Sequence, residues 1–213
     1  LATLVTVSGS SYRRPGARLL LTAGGERIGS ISGGCLEEDV LARARRVAAT
    51  GRPELALYDT TTENDLVWGV GLGCHGVVQL LIEKLPPAPR WAAVLADTFR
   101  AHRPTSLAVV WQAGDPAQLG TRLAGESPPT GQSAGVFIDV VPPPVPLVIF
   151  GAGDDAQPLA RFAKERGWHV TIADPRADFA TAVRFPAADA IIVGPADQLV
   201  ARADPAPDAL AVV

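Results

Sequence analysis

The segment that most restricts the fold is PLVIFGAGDDAQPLARFAKERGWHVTIADPR, Pro146 to Arg176. A short β run at Leu147 to Phe150 leads into Gly151, Gly153 and Ala156, a G-x-G-x-x-A pattern opening a helix. The first glycine allows a tight turn, the second admits a pyrophosphate to the backbone, and the small third residue lets helix and strand lie close. Helical spacing continues through Leu159, Phe162, Ala163 and Arg166, Gly167 stops it, and His169 to Ala173 reads as a second strand ending at Asp174. An anion is expected at the helix N-terminus, with Asp174 placed to accept ribose hydroxyls. The pattern predicts a Rossmann-type parallel sheet with NAD(P) or another nucleotide against Gly151, Gly153 and Asp174. A Rossmann shell that serves only as scaffold is the competing reading. Asp154 and Asp155 favour it, because carboxylates at a phosphate site oppose an anion unless they face away. A third strand at Ala190 to Val193 and the start of a fourth at Ala209 to Val213 follow, and the sheet reads as incomplete.

Proline marks the remaining boundaries, since each one removes a backbone donor and biases its predecessor away from the helical region. One cluster is Pro86, Pro87 and Pro89; the other is Pro142, Pro143, Pro144 and Pro146. The expected organisation is an α+β domain over 1–141, a proline-rich linker over 142–146 and the Rossmann-like domain over 147–213, α/β overall. Within the first domain, β runs at Ala2 to Val7, Ala17 to Thr22 and Arg27 to Ile31 alternate with turn signals and read as a meander. Leu36, Val40, Leu41, Ala44, Val47 and Ala48 mark one helical face, stopped by Gly51. Leu55 to Asp59 and Val77 to Leu85 read as strands, Arg90 to His102 as a helix, and Ser106 to Trp111 and Gly135 to Val141 as further strands.

Charge and cysteine usage narrow the class. Among 213 residues, 19 Lys and Arg against 22 Asp and Glu leave a net charge of -3, with no basic excess for nucleic-acid binding. No apolar run is long enough for a membrane span, so a soluble, cytoplasmic protein is expected. The two cysteines, Cys35 and Cys74, are too far apart for a CxxC pair, and His75, His102 and His169 form no zinc motif.

Each cysteine follows a glycine run, in GSISGGCLEED (Gly29 to Asp39) and in GVGLGCHG (Gly69 to Gly76). Glycine keeps backbone N–H groups bare and able to face an anion. With a helix starting near Cys35, the amides of Gly33, Gly34 and Cys35 are candidates for a phosphate, and a thiolate is favoured at the same place. The alternative is a cysteine packed as a small hydrophobe. Glu37, Glu38 and Asp39 read as helix-start acids. Arg13 and Arg14, before Pro15, offer guanidinium groups to a phosphate or carboxylate, with solvation the expected fate of at least one. Trp68 reads as a core residue or a stacking platform, and His75 as an exposed turn residue or as a group that modulates the Cys74 thiol or ligates a metal.

Taken together, GSSYRRPGARLLL, GSISGGCLEEDV, YDTT, GLGCHG, LVIFGAGDDAQPLARF and VTIADPR resemble the XdhC/CoxI family from about Val5 to Val193. Two positions depart from its common pattern: His75 stands where many members have a second glycine, and Asp154 where many have a histidine. The resemblance implies an accessory chaperone, without turnover of its own, for xanthine or carbon monoxide dehydrogenase-type molybdenum hydroxylases. It implies binding of the molybdenum cofactor, protection during sulfuration by a cysteine desulfurase, and insertion into the apoenzyme. On this basis Arg13, Ser32, Gly33, Gly34, Cys35, Gly73 and Cys74 line the cofactor cleft, Cys35 or Cys74 ligates molybdenum or handles sulfur, and the Rossmann face closes the cleft. A homodimer is the default assembly. The alternative is an NAD(P)-dependent oxidoreductase with a Cys35/Cys74 redox pair.

Overall fold

The computed structural model describes residues 1–61, 76–126 and 135–213. The chain divides into two compact units, Leu1–Thr98 with Pro104–Val141, and Phe99–Arg103 with Pro142–Val213.

The first unit opens with β1 (Ala2–Gly9), β2 (Arg18–Leu21) and β3 (Arg27–Gly29), followed by helix α1 (Glu37–Thr50), β4 (Glu54–Asp59) and β5 (Gly76–Ile82). The β1-β2-β3 stretch is the expected meander, but β5 returns along the free side of β1, giving the antiparallel order β3-β2-β1-β5-β4. Alternation along the strands sends Ala2, Leu4, Leu80 and Ile82 to one face, where Val40, Leu41 and Val47 of α1 cover them. Ala48, expected on that helical face, is exposed. Gly51 ends α1 as expected, with a left-handed φ of 71° and its N–H donating to the Val47 carbonyl at 2.8 Å.

The opposite face of this sheet meets a second one. After α2 (Arg90–Arg100), strands β6 (Thr105–Gln112), β7 (Gly120–Leu123) and β8 (Gly135–Val141) form an antiparallel sheet in the order β7-β6-β8. Strand β7 carried no clear sequence signal, being four residues long and half-buried. Alternation along β1 and β5 turns Val5 and Leu81 to the face opposite Leu4 and Leu80, where with Val109 they form the core between the sheets. Glu83, buried just beyond β5, ties the sheets together by accepting hydrogen bonds from the N–H and hydroxyl of Thr121 at 3.0 and 2.5 Å.

The second unit is a parallel sheet of β9 (Pro146–Phe150), β10 (His169–Asp174), β11 (Ala190–Val193) and β12 (Leu210–Val212) in the order β11-β10-β9-β12. Helix α3 (Ala156–Glu165) lies on one face through Ala156, Ala160 and Ala163, small residues that permit close approach to Leu147, Ile149 and Ile172. Helix α4 (Leu199–Ala203) covers Val148 and Ala173 on the other. This is the Rossmann-type connectivity read from the G-x-G-x-x-A segment. No helix among the described residues is long and apolar enough to cross a membrane.

Candidate functional site

The Cys35 loop is held from within. Its helix starts at Glu37, two residues later than the sequence suggested, and Ser30 to Leu36 form a series of bends ahead of it. Ser32 is buried, and its hydroxyl oxygen accepts hydrogen bonds from the N–H groups of Gly34 and Leu36 at 3.0 and 3.2 Å. The same hydroxyl donates to the Glu37 carboxylate, which also accepts from the Ser32 N–H at 3.0 Å and the Ser30 hydroxyl at 3.2 Å. Burial works to raise the Glu37 carboxyl, but the hydrogen bonds from Ser32 and Ser30 outweigh it and hold its pKa below the ordinary value. Gly34 has a φ of +112°, a conformation that a side chain would strain.

Within residues 33–36, the amides of Gly33 and Cys35 have no hydrogen-bond partner among the described residues. Cys35 is a free thiol, partly buried against the core under α1. Ser10, Ser11 and Tyr12 from the β1–β2 connection, with Thr60 and Gly76, enclose a slot of about 20 Å³ beside it. That is room for about one water molecule, so a larger guest would rest outside the slot rather than within it. Tyr12 is exposed, and its ring lies 3.3 Å from where a Cβ on Gly33 would stand. Its neighbour Arg13 is exposed and forms no ion pair among the described residues.

Below the loop, Thr60 and Gly76 close a neck: Thr60 donates its N–H and hydroxyl to the Gly76 carbonyl, and the Gly76 N–H returns to the Thr60 hydroxyl at 3.1 Å. Gly76 fits because a Cβ there would stand 2.4 Å from the Ser10 carbonyl oxygen. Trp68, Gly73, Cys74 and His75 lie outside the described residues, so the second cysteine loop is not placed.

The acids after Cys35 divide. Glu38 is an exposed surface residue paired with Arg27 at 3.0 Å. Asp39 accepts from the Arg43 guanidinium and from the buried Tyr58 hydroxyl, both at 2.6 Å. Burial and then the Asp39 contact push the Tyr58 phenol up, so it remains a donor. Glu37 and Asp39 therefore do more than start a helix. The five-residue separation of Ser32 and Glu37 falls outside the usual capping spacing, so that pairing had no sequence signature.

The glycine loop after β9 differs. Asp174 is 1% exposed, and its carboxylate takes four hydrogen bonds: from the Ala152 N–H at 2.7 Å and from the Arg176 N–H, Nε and Nη2 at 2.7, 2.9 and 2.7 Å. The Arg176 hydrogen bonds lead in holding Asp174 far below the usual carboxylate range. Arg176 and Arg184 both lie over the Phe179 ring, and Arg184 pairs with the exposed Asp154 at 2.8 Å. The Asp155 carboxylate lies 2.5 Å from where a Cβ on Gly153 would stand. Arg176 is the partner that sequence reading missed, although DPR places it two residues after the acid. Among the described residues, no group of three His, Cys, Asp or Glu side chains could hold a metal ion.

Comparison with known proteins agrees with both units. The XdhC and CoxI family model matches residues 1–59, and the XdhC Rossmann domain model matches residues 147–213. A protein of Bacillus subtilis (strain 168) described as a probable xanthine dehydrogenase subunit is 32% identical, over 100% of this chain and 70% of that protein. The molybdenum cofactor insertion chaperone PaoD of Escherichia coli (strain K12) is 29% identical, over 82% of this chain and 52% of its own length. A crystal structure of a xanthine dehydrogenase from Bacillus halodurans superposes with a TM-score of 0.77 at 31% identity, covering 99% of this chain and 68% of that one. The fold is that of a two-unit accessory protein with a Rossmann domain, and the chain belongs to the XdhC/CoxI family.

Proposed function

We propose that the chain serves the maturation of a xanthine dehydrogenase-type molybdenum hydroxylase by carrying the molybdenum cofactor. The coarse role, an accessory protein for such an enzyme, follows from family membership and from the insertion chaperone among its relatives. The finer reading is that the protein holds the cofactor as cargo while a cysteine desulfurase sulfurates it, then passes it to the apoenzyme.

The observation that supports this reading is the Cys35 loop: the Gly33 and Cys35 amides beside a partly exposed thiol, with Arg13 on the adjoining connection, none of these amides or the guanidinium having a partner among the described residues. A phosphorylated dithiolene needs amide or guanidinium donors for its phosphate and a soft ligand near its metal, so these groups fit it. The Gly33 and Cys35 amides and Arg13 bind the anionic end. Gly34 shapes the loop, Cys35 supplies the sulfur ligand, and Gly73 and Cys74 complete the berth. The cargo's own chemistry is the metal redox centre that the client enzyme uses.

A nucleotide such as NAD(P) on Gly151, Gly153 and Asp174 is the finer proposal for the second unit, and it requires Arg176 to yield its place on Asp174. No observation favours an oxidoreductase with a Cys35/Cys74 redox pair. The test is to mix purified protein with molybdenum cofactor and measure binding. One equivalent is expected to bind, and Cys35→Ala is expected to weaken binding about tenfold or more, the effect of a single lost ligand or charge-assisted contact. Unchanged affinity in Cys35→Ala removes that residue from the berth.

A further inference from the structure

We propose that Glu37 is the positioning residue of the Cys35 loop, acting through Ser32, and that Ser32 itself does not touch the cargo. The inference rests on the cargo reading only for its functional meaning; the geometry stands by itself. A serine hydroxyl has one proton and two lone pairs. Here the lone pairs take the Gly34 and Leu36 N–H groups, and the proton goes to Glu37. The hydroxyl is saturated, so it has nothing to offer a ligand.

The same count shows which amides of residues 33–36 are on offer. Gly34 and Leu36 turn inward to Ser32, leaving those of Gly33 and Cys35 without a partner among the described residues. The set that faces a guest is therefore decided by a residue that never meets it. Only a carboxylate completes the network, because position 37 must accept both from the Ser32 N–H and from the Ser32 hydroxyl. A glutamine satisfies one and presents an N–H to the other, where no lone pair remains. The Ser32 hydroxyl must then turn away from Gly34 or from Leu36, and the loop loses its single arrangement.

The test compares Glu37→Gln with Glu38→Gln, which makes the same charge change one residue away on an exposed side chain. Hydrogen exchange of the 31–40 peptide and iodoacetamide alkylation of the Cys35 peptide, both resolved by mass spectrometry on the full chain, need no cofactor. Glu37→Gln is expected to speed exchange of the Gly34 and Leu36 amides about tenfold, the equivalent of one hydrogen bond, and to change the Cys35 alkylation rate several-fold. Glu38→Gln leaves both at the wild-type rate. Ser32→Ala repeats the Glu37→Gln result and Ser32→Thr, which keeps the hydroxyl, reverses it. Molybdenum cofactor binding weakens in Glu37→Gln and Ser32→Ala and recovers in Ser32→Thr. Identical behaviour of Glu37→Gln and Glu38→Gln in exchange and alkylation overturns the proposal. A wild-type protein that binds no cofactor, with the exchange and alkylation differences intact, overturns the cargo reading and leaves the positioning role standing. Should Glu37→Gln fail to fold, Glu37→Asp, which keeps the charge but withdraws it by one methylene, is read the same way.

Discussion

The two described glycine loops precede helices in similar fashion, yet different side chains stand beside their amides. Ahead of α1, an internal serine takes the Gly34 and Leu36 amides, while those of Gly33 and Cys35, beside a thiol, have no partner among the described residues. Ahead of α3, Asp174 takes the Ala152 amide, Arg176 saturates Asp174, and Asp155 lies close to Gly153. A run of glycines establishes that a backbone can be approached. Whether an anion is welcome depends on the nearby side chains, and in this molecule the loop lacking the familiar dinucleotide pattern is the less encumbered.

The comparison can be broken at either loop. The largest effect is expected from Asp174→Ala, which strands the buried Ala152 N–H and unpairs Arg176, destabilising the second unit by about 3 kcal/mol in chemical denaturation. Cys35 alkylation should not change. Ser32→Ala is the counterpart, costing about 1.5 kcal/mol because two N–H groups lose their acceptor, with the loss confined to the first unit. Tyr58→Phe removes a donor from Asp39 while Arg43 keeps its own, so about 1 kcal/mol is expected by the same measurement. Exchange at Gly34 and Leu36 should stay at the wild-type rate; acceleration there would mean that Asp39 and Glu37 hold the loop jointly.

The smallest effect concerns pH. Burial holds His169 below the ordinary histidine value, with Asp189 working against it and His102 and Lys164 reinforcing it. The unfolded chain therefore takes up this proton first as pH falls through about 6.5, and stability that depends on a neutral His169 declines below that point. A shallow loss is expected in the second unit between about pH 7 and 5, absent from His169→Gln and followed by thermal melting.

Legibility in the sequence followed the range of the interactions. The Rossmann-type strand, glycine loop, helix and second strand were all readable, because β9, α3 and β10 are consecutive and their signals are local. The meander and the Gly51 stop were legible for the same reason. The place of β5 beside β1 was not, since that pairing joins residues far apart along the chain, Gly9 with Gly76 and Ala2 with Ile82, and no turn chemistry announces it. At the candidate site, the glycine run and Cys35 were visible as types, but the roles of their neighbours were not. Asp174 looked like a ribose acceptor because its position is right; its engagement with Arg176 is a matter of rotamer. Glu37 reads as a helix-start acid because its folding back to Ser32 depends on the local bends of the loop and leaves no signature in residue type or spacing.

The burial of β1 on both faces has a mechanical consequence. With Leu4 and Val5 on opposite sides, one strand is shared by two interiors, and the β7-β6-β8 sheet has its inner face closed by residues of its neighbour. The smaller sheet thus loses the Val5 and Leu81 side chains that close its inner face once β1 and β5 let go, so the 104–141 segment and the β-meander should melt in one transition, not two.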